Sequence, residues 1–191
     1  MPIEPRGGIS TLFDIPVGRW TTRELTEVVC ARAAAAQPLF VTYVNAHNIN
    51  VAARDEHYAR ALREADIVYA DGMAVVWASR WLDSRHPLPE RVNAGDFFPG
   101  FCSECARRGL SLYLLGSEPG VARRCADRMR RHAPDLKIAG ASDGFWGRGG
   151  EFADERAALR AIRESGARIL LAGMGVPRQE LWARARAAAL G

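Results

Sequence analysis

Apolar runs of strand length alternate with longer stretches whose apolar positions recur at helical spacing, and this alternation continues through most of the 191 residues. Such a rhythm predicts β-α units around a largely parallel sheet. Near the start, LFDIPVGRW reads as a short extended segment or hairpin, and Thr21 or Thr22 caps the helix that runs through TEVVCARAAAA. LFVTYVN, residues 39–45, is a buried strand ending in polar residues; two helices, over about 46–54 and 56–65, lead to the strand DIVYAD at 66–71. MAVVWASRWL has helical spacing, whereas DSRHPLPERVNAG, with prolines and mixed charge, is a loop. A helix from about Asp96 to Arg108 precedes three repeats of one pattern: LSLYLLG with a helix over about 118–132, LKIAGAS with a glycine-rich loop and a helix over 151–165, and ARILLAGMG with a helix over about 178–189. Arg108-Gly109, His132-Ala133-Pro134 and Ser165-Gly166 are the helix stops. The expected architecture is a Rossmann-like α/β/α sandwich with a mostly parallel sheet, a single domain over residues 1–191.

Composition narrows this only a little. With 48% hydrophobic and 25% charged residues, a single packed core is expected. No apolar run approaches the ~18–20 residues of a membrane span, and MPIEPRGGIS lacks a signal peptide's basic end and apolar stretch, so the expectation is a cytoplasmic protein, soluble or peripherally attached. The net charge of +4 is too mild and too interspersed to indicate nucleic-acid binding. Lys137 is the only lysine; arginine suits bidentate recognition of phosphate, although coding bias explains the same excess. Cys102 and Cys105 form a C-x-x-C on a helix with no second ligand pair, which reads as small packing residues, and no zinc is expected. The histidines show no metal-ligand spacing; His47 alone falls at a strand end of interest, its role open.

Ligands of open parallel sheets bind outside the carboxyl ends of the strands, where loop amides and helix N-termini converge. Four such ends carry polar or glycine-rich turns: Tyr43 to Asn48, Ala70 to Met73, Gly116 to Gly120, and Gly173 to Pro177. Together they suggest a phosphate-bearing ligand. Neither the dinucleotide glycine fingerprint nor the Walker pattern is present, which disfavours ordinary NAD and ATP machinery, and there is no G-x-S-x-G elbow. No Asp-x-Asp is available to hold a divalent cation, so a nucleotide diphosphate's charge would fall to arginines, amides and helix dipoles. Asp71 ends an apolar strand and is followed by Gly72; it is either a general base at the rim or the cap of the next helix. Arg91 and Arg178 lie in or just after irregular segments and suit a pyrophosphate, or a surface ion pair equally well.

The run VTYVNAHNINVAARDEHYARALREADIVYADGMAVVWASR, the PLPERVNAGDFFP segment, the LYLLGSEPGVA turn, KIAGASDGFW and GMGVPRQELW, taken in order, resemble the WecG/TagA/CpsF family of bacterial glycosyltransferases over roughly residues 10–187. The resemblance implies an inverting, metal-independent transferase without a cofactor. Such an enzyme moves N-acetylmannosamine or a related sugar from a UDP donor to a polyprenyl-diphosphate-linked acceptor, in teichoic acid or other cell-surface polysaccharide synthesis. It implies Asp71 as catalytic base, in place of the capping role, and substrate contacts from Asn45, Arg91, Arg178, Gln179 and Glu180; Tyr43, Gly72, Asp96, Gly116 and Ser117 are further expected substrate contacts of this chain. Many members carry threonine-proline where this chain has Tyr43 and Val44, and glutamate at His47, which implies an altered donor or acceptor preference. The family pattern also continues with a further strand and an arginine-bearing tail, so the resemblance implies a chain shortened at its carboxyl end, a homo-oligomer being one way to cover the sheet edge. A peripheral membrane contact is expected, with Arg123, Arg124, Arg128 and Arg131 on one helix either facing anionic lipid or simply solvated. The alternative is a sugar-nucleotide-binding module, or an inactive fragment, without catalysis.

Overall fold

Phe13 and Asp14, both at positive φ, turn the chain between β1 (Ile9–Leu12) and β2 (Ile15–Gly18), an antiparallel hairpin. The computed structural model that shows this describes residues 3–147 and 149–190. Thr21 then opens α1 (Thr22–Ala34): its side chain accepts from the Glu24 amide while the Glu24 carboxylate accepts from the Thr21 amide, a reciprocal capping box. β3 (Val41–Val44) pairs in parallel with β4 (Ile67–Ala70), the crossover being α2 (Ala46–Ala52) and α3 (Glu56–Arg63). Asp66 secures the opposite end of this pair, its carboxylate accepting from the Phe40 amide at 2.8 Å. α4 (Met73–Leu82) and α5 (Ala94–Arg107) follow.

The second half is three β-α units. β5 (Ser111–Gly116) is central in a parallel ladder ordered β6-β5-β7, with β6 (Lys137–Ser142) and β7 (Ile169–Gly173) on its flanks. α6 (Val121–His132), α7 (Glu155–Glu164) and α8 (Arg178–Leu190) alternate with the strands. The α/β architecture with parallel strands is thus the Rossmann-like one expected, but the strands fall into two parallel ladders rather than one unbroken sheet. Among the described residues the two ladders meet through side chains: Ile67 of β4, Leu112 and Leu114 of β5 and Phe97 of α5 share one apolar cluster.

Helix starts differ from expectation where a local cap decides them. α5 begins at Ala94 because the Asn93 side chain accepts from the Gly95 amide, and α7 begins at Glu155 because Asp154 accepts from the Ala157 amide. Cys30, Cys102 and Cys105 are buried in the apolar cluster, and burial pushes the Cys102 thiol up to about 11.

Candidate active site

Asp71 follows the last residue of β4, its backbone N–H bonded to the Val44 carbonyl at 2.8 Å. The N-cap of α4 is Gly72, at φ +144, and no side chain caps that helix. Glycine is suited to this backbone and a residue with a Cβ is not. The Asp71 carboxylate is therefore free of the capping role that its position in the sequence allows. Its Oδ1 instead accepts from Nδ2 of Asn93 at 2.8 Å, and Asn93 is held there because Val92 N–H bonds the Ala70 carbonyl, laying the loop before α5 against the end of β4.

Around this carboxylate stand several of the other named residues. Tyr43, half-buried on β3, is in register with Tyr69 of β4, their ring centroids 6.0 Å apart. Burial pushes the Tyr43 phenol up, the Gln179 amide beside it pulls the other way, and the Glu180 and Asp71 charges add to the rise. Asn45 caps α2 through the Asn48 amide at 3.1 Å. Arg91 pairs with Asp96 at 2.6 Å, so two of the predicted contact residues engage each other on an exposed edge.

The remaining residues lie at the carboxyl ends of the other ladder, around a cleft of about 400 Å³ lined by Ser117, Glu118, Val121, Gly144, Phe145, Gly173, Met174, Gly175 and Arg178. That volume is within the range of small-ligand sites. Gly116, at φ +143, passes so close to β7 that a Cβ would sit 2.2 Å from the Gly173 carbonyl oxygen. The Ser117 amide is not available to a ligand: it donates to the Gly173 carbonyl at 2.8 Å. The N-terminus of α6, by contrast, follows Gly120 and carries no side-chain cap, leaving a helix end beside the cleft to receive an anion. Arg178 lies over Trp146 and Phe145, its guanidinium 5.0 and 5.7 Å from the ring centroids, and donates to the Gly144 carbonyl at 2.5 Å. Asp143, buried, shapes this wall by accepting from the amides of Phe145 and Glu151, each at 2.8 Å.

Gln179 and Glu180 lie between the two ends. Gln179 accepts from the Gly175 amide at 3.2 Å and donates to Glu180 at 2.8 Å. Glu180 is only 2% exposed, and burial pushes its carboxyl above the usual range despite the Gln179 hydrogen bond. Neither Asn93 nor Asp143 stands out in the sequence. The only local signal is an asparagine at a helix start and an aspartate directly after a strand.

Outward from Asp71, α4 presents Met73, Trp77 and Trp81 at every fourth position, with Trp77 57% and Trp81 88% exposed; Leu82 and, at the neighbouring hairpin turn, Phe13 are exposed as well. Among the described residues no helix is long and apolar enough to cross a membrane, and no group of three or more His, Cys, Asp or Glu is placed to hold a metal.

The fold is thus a Rossmann-like α/β one, with a polar rim and an uncapped helix end beside a cleft. The model of the glycosyl transferase WecG/TagA/CpsF family matches residues 10–191, and the chain belongs to that family. It is accordingly a glycosyltransferase with a sugar donor and an acceptor, in a family associated with cell-surface polysaccharide synthesis.

Proposed function

We propose that the protein is an inverting, metal-independent glycosyltransferase that moves N-acetylmannosamine or a related sugar from UDP to a hydroxyl of a polyprenyl-diphosphate-linked acceptor. The observation that carries this reading is the Asp71 carboxylate, uncommitted to helix capping and directed by Asn93 at the end of β4. Asp71 removes the acceptor hydroxyl proton as the oxygen attacks the anomeric carbon. The bond to UDP breaks on the opposite face and its electron pair leaves with the diphosphate. Charge developing there falls to the N-terminus of α6 and to the guanidinium donors that Arg178 does not give to Gly144. Arg91, two residues before Asn93 and not in the lining of the cleft, suits the acceptor's diphosphate, while Tyr43, Asn45 and Gln179 orient sugar and acceptor hydroxyls.

A lipid-linked acceptor calls for contact with a bilayer. The α4 stripe supports that contact better than the arginines of α6, of which Arg123 pairs with Glu151 and Arg130 with Asp127. Tryptophan suits the membrane interface, and this stripe begins at the Asp71 end of its helix.

The test is transfer from UDP-N-acetylmannosamine to a lipid-diphosphate acceptor analogue, with product detected by mass spectrometry. Asp71→Asn is expected to lower turnover ~10²- to 10⁴-fold, the usual worth of general-base help, and to leave UDP binding by calorimetry unchanged. UDP binding without transfer by the unaltered chain would instead make it a binding module.

A further inference from the structure

Glu180 is the third residue of α8, and its carboxyl group is buried where leucine or methionine would fill the space at less cost in desolvation. Its contacts are few and directed. Oε1 accepts from Nε2 of Gln179 at 2.8 Å and, at a longer 3.4 Å, from the Thr42 hydroxyl; Oε2 is buried with no hydrogen-bond partner.

These contacts cross the seam between the two ladders. Beyond the shared apolar cluster and the approach of Gln179 to Tyr43, two polar side-chain pairs join the β1-to-α5 portion to the β5-to-α8 portion among the described residues. One is the Glu64–Arg184 ion pair, which is partly exposed; the other, buried, is Thr42 with Glu180. Thr42 immediately precedes Tyr43 in β3, and Gln179 reaches back to the Gly175 amide on the cleft wall.

A glutamine amide has one acceptor oxygen and two N–H donors, so its neighbours decide how it faces. Here Gly175 N–H engages the oxygen and Glu180 takes one of the two hydrogens, leaving the second Nε2 hydrogen for the Tyr43 side. We propose that Glu180 is a positioning residue, which fixes the Gln179 amide from beneath and ties it to β3 through Thr42, so that the cleft and the Asp71 end keep one relative setting. Its kinetic consequence rests on the transferase reading above; its geometry does not.

The test compares Glu180→Gln with Glu180→Leu. Glutamine keeps an acceptor oxygen and is expected to transfer within about threefold of the unaltered protein. Leucine removes it and is expected to lower kcat roughly 10- to 100-fold, the scale of a small misplacement, with the donor KM within about threefold. In a Gln179→Ala background Glu180→Leu is expected to cause no further loss, because it acts through that amide. By NMR, the Gln179 side-chain amide pair is expected to be resolved and slow to exchange in the unaltered protein and in Glu180→Gln, and solvent-like in Glu180→Leu. Equal losses in the Gln and Leu variants, losses that multiply in the double variant, or a protected amide in Glu180→Leu would overturn the proposal. Should the Leu variant not fold, Glu180→Met repeats the comparison with a flexible side chain of similar volume. Unfolding of both also overturns the assignment, since the carboxyl then holds the fold and not the amide. Absence of transfer in the unaltered protein defeats the functional reading alone and leaves the amide signal to decide for Glu180.

Discussion

Asn93 donates through its side-chain amide to Oδ1 of Asp71 at 2.8 Å, while its own Oδ1 accepts from the Gly95 amide at 2.9 Å. One side chain thus starts α5 and sets the direction of the carboxylate. Two substitutions separate those duties. Serine caps a helix about as well as asparagine but is too short to reach Asp71, so Asn93→Ser is expected to change stability by no more than about 0.5 kcal/mol and to lower transfer about tenfold. Asn93→Ala loses the cap as well and is expected to cost about 1 kcal/mol, read by denaturant unfolding. Undiminished transfer by the serine variant would remove Asn93 from the machinery.

Arg178 combines a forked hydrogen-bond donor with a flat face over Trp146 and Phe145. Lysine reproduces the charge and neither of the other properties. Arg178→Lys is therefore expected to weaken UDP binding about tenfold by calorimetry and to increase the accessibility of Trp146 to a fluorescence quencher. Affinity equal to that of the unaltered protein would place the diphosphate elsewhere.

Glu180 predicts a pH dependence of stability. Burial raises its carboxyl in the folded state, so the folded protein keeps a proton that the unfolded chain has already released. At pH below the ordinary glutamate value of about 4.3, both states are protonated and the shift contributes nothing. As pH rises from there towards the raised value, the protein loses stability relative to Glu180→Gln, and above it the difference is constant. Denaturant unfolding of both proteins across this window is expected to show that widening gap, and a flat difference would contradict it.

The exposed tryptophans of α4 predict binding to vesicles containing anionic lipid. Trp77→Ser with Trp81→Ser is expected to abolish co-sedimentation without lowering the melting temperature, since neither ring contributes to a buried cluster. Replacement of Arg124, Arg128 and Arg131 by glutamine is expected to leave most of the binding. The reverse result would assign the contact to α6.

Strand positions were legible because apolar runs ending in polar residues need no tertiary information, and the ends of β3, β4, β5 and β7 fall within two residues of their expected places. Which strands are neighbours is a different matter: periodicity yields no partner, and the division into two ladders had no signature in the chain. Asp71 was visible but ambiguous, and the backbone of Gly72 resolved the ambiguity by providing a cap with no side chain. Asn93 escaped notice because it reads as one more polar residue of the loop before a helix expected at about Asp96, and its partner Asp71 lies 22 positions away. For Glu180 the resemblance implies a substrate contact, and nothing in the local pattern announces the burial of its carboxyl against Gln179 and Thr42. That the Ser117 amide donates to the Gly173 carbonyl was likewise not legible, since the pairing joins residues far apart in sequence.

Among the described residues the two parallel ladders share an apolar cluster but no backbone bond. A sequence change that reshapes the loops after β5, β6 and β7 therefore leaves the register of β3 and β4 untouched, and the converse holds as well. Under the proposed assignment the sugar nucleotide belongs to one ladder and the acceptor hydroxyl to the other, so the two specificities can drift apart in evolution without renegotiating the fold. The small polar junction formed by Thr42, Gln179 and Glu180 is the part they must continue to hold in common.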